Sequence, residues 1–349
     1  MIKAQKISYK KEFSLGINYH RGLLVPKNQY INYLIQDNIS AMELKLAYHP
    51  SPEKNWVRQY AVNEIGLAYY QGNLGNADVL GNVQSLSPYV QFSIKTWKQF
   101  LLSTHIGFGL ARMSKHFHPV KNYANKLIGS EYNAHINLGL RASYSLTHFD
   151  ITSDLVFNHF SNGSSRHPND GLNIITGAIG LNYNFGRRLK QINTPIPKLH
   201  LSDEFNIIWS NAWKQANEQD PHIYYVSILN LSYTKGLNSR QRIGLGIDLF
   251  YDESTDRGYW TKTPKTSFKY RVSQSVFIAH ELVFNRVSFI THLGYYTLYQ
   301  LKPNSSSFYN RIGLRYKATH HLLVNLSLKG HADQSDFIEM GIGYCFNKK

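Results

Sequence analysis

Between positions 134 and 146 the chain reads Ala134-His135-Ile136-Asn137-Leu138-Gly139-Leu140-Arg141-Ala142-Ser143-Tyr144-Ser145-Leu146. On an extended backbone Ala134, Ile136, Leu138, Leu140, Ala142, Tyr144 and Leu146 share one face. His135, Asn137, Gly139, Arg141, Ser143 and Ser145 share the other. A period of two marks a β-strand that divides an apolar from a polar surface. The pattern recurs along the chain. Phe308, Ile312, Leu314 and Tyr316 oppose Tyr309, Arg311, Gly313, Arg315 and Lys317. Leu322, Val324, Leu326 and Leu328 oppose Leu323, Asn325, Ser327, Lys329 and His331. The last alternating strand carries Ile338, Met340, Ile342, Tyr344 and Phe346. In a soluble sandwich such apolar faces would meet a partner sheet. In a membrane barrel they meet lipid, and the polar faces meet a hydrated lumen.

Connection lengths separate these two readings. Long polar connections are expected around 24–39, 71–84, 112–130, 162–171, 211–221, 253–270, 300–306 and 331–335. Shorter turns fall near 96–98, 147–150, 235–239, 285–287 and 318–321, with 50–58 and 186–198 as longer exceptions. Long alternating with short is the habit of up-and-down barrels, which carry loops at one rim and tight turns at the other. The sequence therefore predicts an all-β, up-and-down antiparallel transmembrane β-barrel. It forms a single barrel over residues 1–349, with about 16 strands and 14 as the next choice. Arg187 to Lys198, with Pro195 and Pro197, is the one plausible seam. It reads as a periplasmic turn or a sub-barrel boundary, the alternative being a joint between two soluble domains.

Composition agrees with a barrel. The mean hydropathy is −0.36, because inward polar and outward apolar residues cancel in any window. No run approaches the ~18–20 apolar residues that a transmembrane helix needs, which excludes a helical membrane protein. The 25 Tyr, 18 Phe and 5 Trp suit the aromatic girdles at the two membrane interfaces, although any sheet favours aromatics. Cys345 is the only cysteine, so no internal disulfide and no cysteine-rich metal site can form. His116 and His118 in a loop-like run, and His320 and His321 in a tight turn, bring no convincing ligand set with them, and no metal or cofactor is expected. The net charge of +16 is spread over nearly every turn without a basic tract, so nucleic acid is not the expected partner. On an outer-membrane barrel the natural acidic partners are lipopolysaccharide phosphates, in contact with outer-membrane lipid. The stretch from Met1 to Lys11 has charge but no apolar h-region. The expectation is that the numbering starts near the mature end or at a misplaced start codon.

One segment departs from the strand-turn rhythm: Leu155-Val156-Phe157-Asn158-His159-Phe160-Ser161-Asn162-Gly163, followed by Pro168-Asn169-Asp170-Gly171-Leu172-Asn173. His159 and Ser161 are two apart, so both leave the face already occupied by Leu155 and Phe157, the lipid side. Serine needs a neighbouring imidazole to take its proton, and a third group normally orients that imidazole. Asn173 shares its face with Ile175, Gly177, Ile179, Leu181 and Tyr183, the lipid-side set of the next strand. A symmetric loop would set Ser161 opposite Asn173 and His159 opposite Ile175, with Asn173 diagonal to His159. The bland reading is that Ser-Asn-Gly merely ends a strand. Polar groups on a lipid face are costly, however, and their presence asks for a function.

The runs His159-Phe160-Ser161-Asn162-Gly163 and Pro168-Asn169-Asp170-Gly171 resemble the signature of the PagL-type lipid A deacylases, outer-membrane barrels that remove an ester-linked acyl chain from lipid A. The likeness covers about residues 40–188, and Ile128-Gly129-Ser130 also looks family-like. Residues 199–349 supply additional strands. Their end, from Lys329 to Tyr344, resembles the extension of longer members known as acyloxyacyl hydrolases. The resemblance implies Ser161 as nucleophile and His159 as general base. The family's third member is typically Glu at the position of Asn173, and this chain departs from it. Asn can orient the ring but cannot stabilise imidazolium by charge. Asn162, Asn169 and the amides near Gly163 are the candidates for the oxyanion hole, with ordinary turn residues as the alternative. Arg166 and His167 are candidates for a lipid A phosphate. No cofactor is implied, and the oligomeric state is left open. Two other classes remain open on sequence alone: a non-catalytic barrel, either channel or structural, and a soluble basic β-protein that binds polyanions.

Overall fold

The computed structural model describes residues 12–27, 29–185, 201–257, 267–299, 306–332 and 334–347. The basic N-terminal stretch and the Pro195/Pro197 seam lie outside the described residues, as do parts of the 253–270 and 300–306 connections. By contacts the chain divides into two compact units. One comprises Met1–Asn162 with Asn169–Pro197, the other Gly163–Pro168 with Lys198–Lys349.

The first unit is built on β1 (Phe13–Leu24), β2 (Ile39–Tyr48), β3 (Val62–Asn73), β4 (Asn82–Trp97), β5 (Phe100–Met113), β6 (Tyr132–Ser145), β7 (Phe149–Ser161) and β8 (Leu172–Phe185). Each strand bonds antiparallel to the next, and β8 returns to β1 from Phe13↔Phe185 to Leu24↔Ile174, closing the sheet. The second unit repeats the plan with β9 (Glu204–Gln215), β10 (Ile223–Gly236), β11 (Gln241–Asp252), β12 (Val272–Phe284), β13 (Val287–Tyr299), β14 (Phe308–Lys317), β15 (Leu322–His331) and β16 (Gln334–Asn347). There β16 closes on β9, from Asn347↔Glu204 to Met340↔Asn211.

The sixteen antiparallel strands are those expected, but the single closed barrel is corrected: the strands form two closed sheets of eight. Alternation and turn residues are local, so they count strands. Closure depends on which edges meet, and the edge of β1 is satisfied by β8 rather than by the end of the chain.

Alternation of burial follows the pleat. In β7 the outward Phe149, Ile151 and Leu155 are exposed while Asp150, Thr152, Asp154, Val156 and Asn158 are buried. Outward residues remain open all round the first wall, with Leu15, Leu46, Leu110, Leu140 (45 % exposed), Leu155 (58 %) and Leu181 as examples. A soluble protein rarely exposes so continuous an apolar belt, and the soluble polyanion-binding reading falls with it.

Many of the inward polar residues pair with one another. In the first barrel Arg141 Nε and Nη2 donate to Asp154 at 2.6 and 3.0 Å. Glu43 accepts from Asn18 Nδ2 (2.8 Å) beside Lys45 Nζ (3.2 Å), and the Tyr89 hydroxyl donates to Glu64. In the second barrel Arg311 meets Asp248 (2.7 Å), Arg242 meets Glu204 (2.7 Å), and Lys214 lies between Asp336 (2.6 Å) and Asp252 (3.0 Å). A cavity of about 10 Å³ beside Arg311 and His292 has room for one water. Eight strands leave an interior just wide enough for side chains to fill. These are packed polar cores, which speaks against the channel reading.

The long connections cap one end of the first barrel. Leu24, Ile31, Leu34, Leu74, Leu80, Leu127 and Ile128 gather with Phe160, Leu172 and Ile174 in one buried apolar cluster. Asparagine side chains tie the loops together: Asn76 Nδ2 donates to Leu34 O at 2.9 Å and Asn125 Nδ2 to Val79 O at 3.1 Å. Beneath this cap, on the outer wall, β7 ends and β8 begins.

Candidate active site

Three outward side chains lie at that strand end. The alternation in β7 turns His159 and Ser161 outward while Asn158 and Phe160 are buried, and in β8 it turns Asn173 outward between the buried Leu172 and Ile174. His159 stands directly opposite Asn173, and Phe157 opposite Ile175. The symmetric register expected from the sequence is therefore corrected by two residues. The β7–β8 ladder stops at Phe160↔Leu172. Ser161 pairs only with Ala134 of β6, and the Gly171 N–H is taken by Leu127 O at 3.0 Å. The capping loop, rather than Ser161, takes the Gly171 N–H just before β8.

Direct opposition replaces a diagonal contact by a hydrogen bond. His159 Nδ1 donates to Asn173 Oδ1 at 2.7 Å. With Nδ1 carrying the proton, Nε2 holds the lone pair, which is the tautomer a general base requires. The Asn173 backbone is itself held, its carbonyl accepting from Val25 N–H at 2.8 Å. Ser161 is engaged by Asn169. The Asn169 Nδ2 group donates to Ser161 Oγ at 2.9 Å, and Asn169 Oδ1 lies 3.3 Å from that hydroxyl and 3.1 Å from the Asn162 N–H. One carboxamide thus spans the serine and the residue after it. The buried Phe160 between His159 and Ser161 anchors both from the inside.

His159, Ser161, Asn162, Asn169 and Asn173 all belong to the first unit. Gly163, in a left-handed conformation at φ 61°, and the exposed Arg166 fall in the segment grouped with the second unit. Gly171 has a role that the sequence reading passed over. It sits at φ 76°, and a side-chain carbon there would lie 2.9 Å from His159 Cε1. The Asp170-Gly171 pair announces a positive-φ turn, but nothing in the sequence announces its contact with the imidazole or with Leu127.

Residues 42–182 match the family model described as lipid A 3-O-deacylase (PagL), and residues 203–348 match that of the acyloxyacyl hydrolase C-terminal domain. No curated protein matches the sequence. Among solved structures, Neisserial surface protein A is 11 % identical, with 50 % of this chain and 97 % of that one covered and a TM-score of 0.34. The siderophore receptor PirA from Pseudomonas aeruginosa is 8 % identical, with 97 % and 81 % covered and a TM-score of 0.24. A porin of Rhodopseudomonas blastica is 7 % identical, with 97 % and 100 % covered and a TM-score of 0.19. At these scores the structural likenesses carry no argument. The closed antiparallel sheets with apolar outer walls and the family matches together define a β-barrel ester hydrolase of the outer-membrane type. The chain belongs to the PagL family of lipid A deacylases, its second half matching the C-terminal domain of the acyloxyacyl hydrolases.

Proposed function

We propose that this protein is a serine esterase of the bacterial outer membrane that hydrolyses an ester-linked acyl chain of lipid A, with Ser161 as nucleophile, His159 as base and Asn173 orienting the base. The observation that carries the reading is the 2.7 Å bond from His159 Nδ1 to Asn173 Oδ1 on the outer wall, two residues from Ser161. His159 Nε2 takes the Ser161 proton as Oγ attacks the ester carbonyl. The carbonyl π electrons move to oxygen, and the donors we assign to that oxyanion are Asn169 Nδ2–H, which contacts Ser161 Oγ, and the Asn162 N–H, which turns to it from Asn169 Oδ1. The imidazolium returns its proton to the departing sugar oxygen as the ester C–O bond breaks. Water, deprotonated by the same nitrogen, then releases the fatty acid and restores Ser161. The family description names the 3-O ester of lipid A, and that is the bond we assign. An outward site receives its substrate sideways from the surrounding lipid leaflet, without a channel through the wall.

The test is mass spectrometry of lipid A from cells expressing the protein or its Ser161→Ala variant at equal levels. Loss of one ester-linked acyl chain with the parent protein, and unchanged lipid A with the variant, is expected. Deacylation that survives Ser161→Ala would refute the assignment.

A further inference from the structure

The residue types of the outer site occur a second time, inside the first barrel. Ser87 Oγ lies 2.9 Å from His135 Nδ1, and His135 Nε2 lies 2.9 Å from Asn158 Oδ1. As an esterase this set is closed to substrate, since Ser87, His135 and Asn158 are 1, 1 and 2 % exposed. Its position suggests another use. His135 stands directly opposite Phe160 across the β6–β7 ladder, and their rings stack with centroids 4.4 Å apart at 15°. One imidazole therefore grips both inward residues that bracket His159: Asn158 through a hydrogen bond and Phe160 through a ring face. Its far nitrogen is pinned to β4, two strands away, by Ser87.

We infer that His135 is a positioning residue for the deacylation, fixing the end of β7 from the inside so that His159 and Ser161 keep their outward aim. This rests on the proposed roles of His159 and Ser161. The chemistry of the contacts supports it. With Asn158 Oδ1 accepting, His135 carries its proton on Nε2 and accepts from the Ser87 hydroxyl on Nδ1, so both nitrogens are used and the ring has one orientation. The Asn158 Nδ2 group has no hydrogen-bond partner among the described residues. Losing His135 removes the bond to Oδ1 and leaves both ends of that buried carboxamide without a partner, and a buried amide moves to find one. Any such movement is inherited by His159, the next residue. Phe160 loses its stacking face at the same time and is free to tilt under Ser161.

The experiment uses the full chain in detergent micelles with purified lipid A, and reads kcat and KM separately. His135→Leu fills the space but makes neither hydrogen bond. Folding is checked by the shift of the unheated barrel on a gel. The expected result is a folded protein whose kcat falls on the order of 10- to 100-fold, the size of effect that misplacement by about 1 Å produces, with KM unchanged. His135→Gln, which can still donate to Asn158 and accept from Ser87, recovers most of the rate. A folded His135→Leu with the parent kcat, a loss confined to KM, or a Gln variant no better than Leu would overturn the inference. Should His135→Leu fail to fold, Ser87→Ala and Phe160→Leu decide the matter. A fall in kcat at constant KM supports it, and parent values in both refute it. Ser161→Ala in the same series separates the two levels. If that variant is inactive while His135→Leu is fully active, only the positioning role fails. If Ser161→Ala remains active, the esterase assignment itself fails.

Discussion

Replacing Gly171 by alanine adds one carbon at a place where the imidazole of the candidate base already stands. The new Cβ would lie 2.9 Å from His159 Cε1, whereas carbon atoms prefer a separation of about 3.5–4.0 Å. The ring must therefore retreat by roughly 0.6–1 Å, because Gly171 is held by its N–H bond to Leu127 O and cannot yield easily. A shift of that size lengthens the 2.7 Å bond to Asn173 to as much as about 3.7 Å, at or past the limit of a hydrogen bond, and displaces Nε2 with the ring. Misplacement by about 1 Å costs on the order of 10²-fold in rate, equivalent to about 2.7 kcal/mol of barrier. The φ of 76° adds a separate cost of about 1–2 kcal/mol to the stability of the strand end, because alanine tolerates the left-handed region poorly. The two effects are separable. Steady-state hydrolysis of lipid A in micelles reads the first, and urea unfolding followed by tryptophan fluorescence reads the second. A Gly171→Ala protein that is destabilised but retains the parent kcat would show that the close approach does not control the base, and the geometric argument would fall.

Asn173→Ala should lower kcat by less than His159→Ala, because in the proposed mechanism Asn173 only orients the ring, while Asn173→Glu should raise kcat by supplying charge to the imidazolium. Equal losses in the two alanine variants would contradict this division of labour. Inside the first barrel, Arg141→Met leaves Asp154 buried and unpaired, and is expected to cost about 3–5 kcal/mol, whereas Arg141→Met combined with Asp154→Leu restores most of that stability; unfolding titrations of the single and double variants check it. On the outer wall, Leu155→Arg should destabilise the bilayer-inserted protein by up to about 2–4 kcal/mol, the cost of a cation on a lipid-facing strand near the membrane midplane. A neutral result in reconstituted vesicles would mean that this wall is not lipid-facing.

Much of the molecule was legible before folding. The outward set from Ala134 to Tyr144 and the inward set from His135 to Ser145 follow from the two-residue period of the pleat, which needs no partner to operate. The strand number followed from the same rule, helped by turn residues that act over three or four positions. The outward aim of His159, Ser161 and Asn173 was likewise a matter of parity along each strand. What needed three dimensions was every relation across strands. Closure into two barrels depends on β8 bonding to β1, and no local signal distinguishes that edge from any other. The opposition of His159 to Asn173 depends on where the β7–β8 ladder stops, which the carbonyl of Leu127 decides from a loop more than forty residues away. The engagement of Ser161 by Asn169, and the grip of His135 on Asn158 and Phe160, have the same origin. Side-chain parity is a property of one strand, whereas register and closure are properties of pairs, and pairs are chosen only when the whole sheet satisfies its hydrogen bonds together.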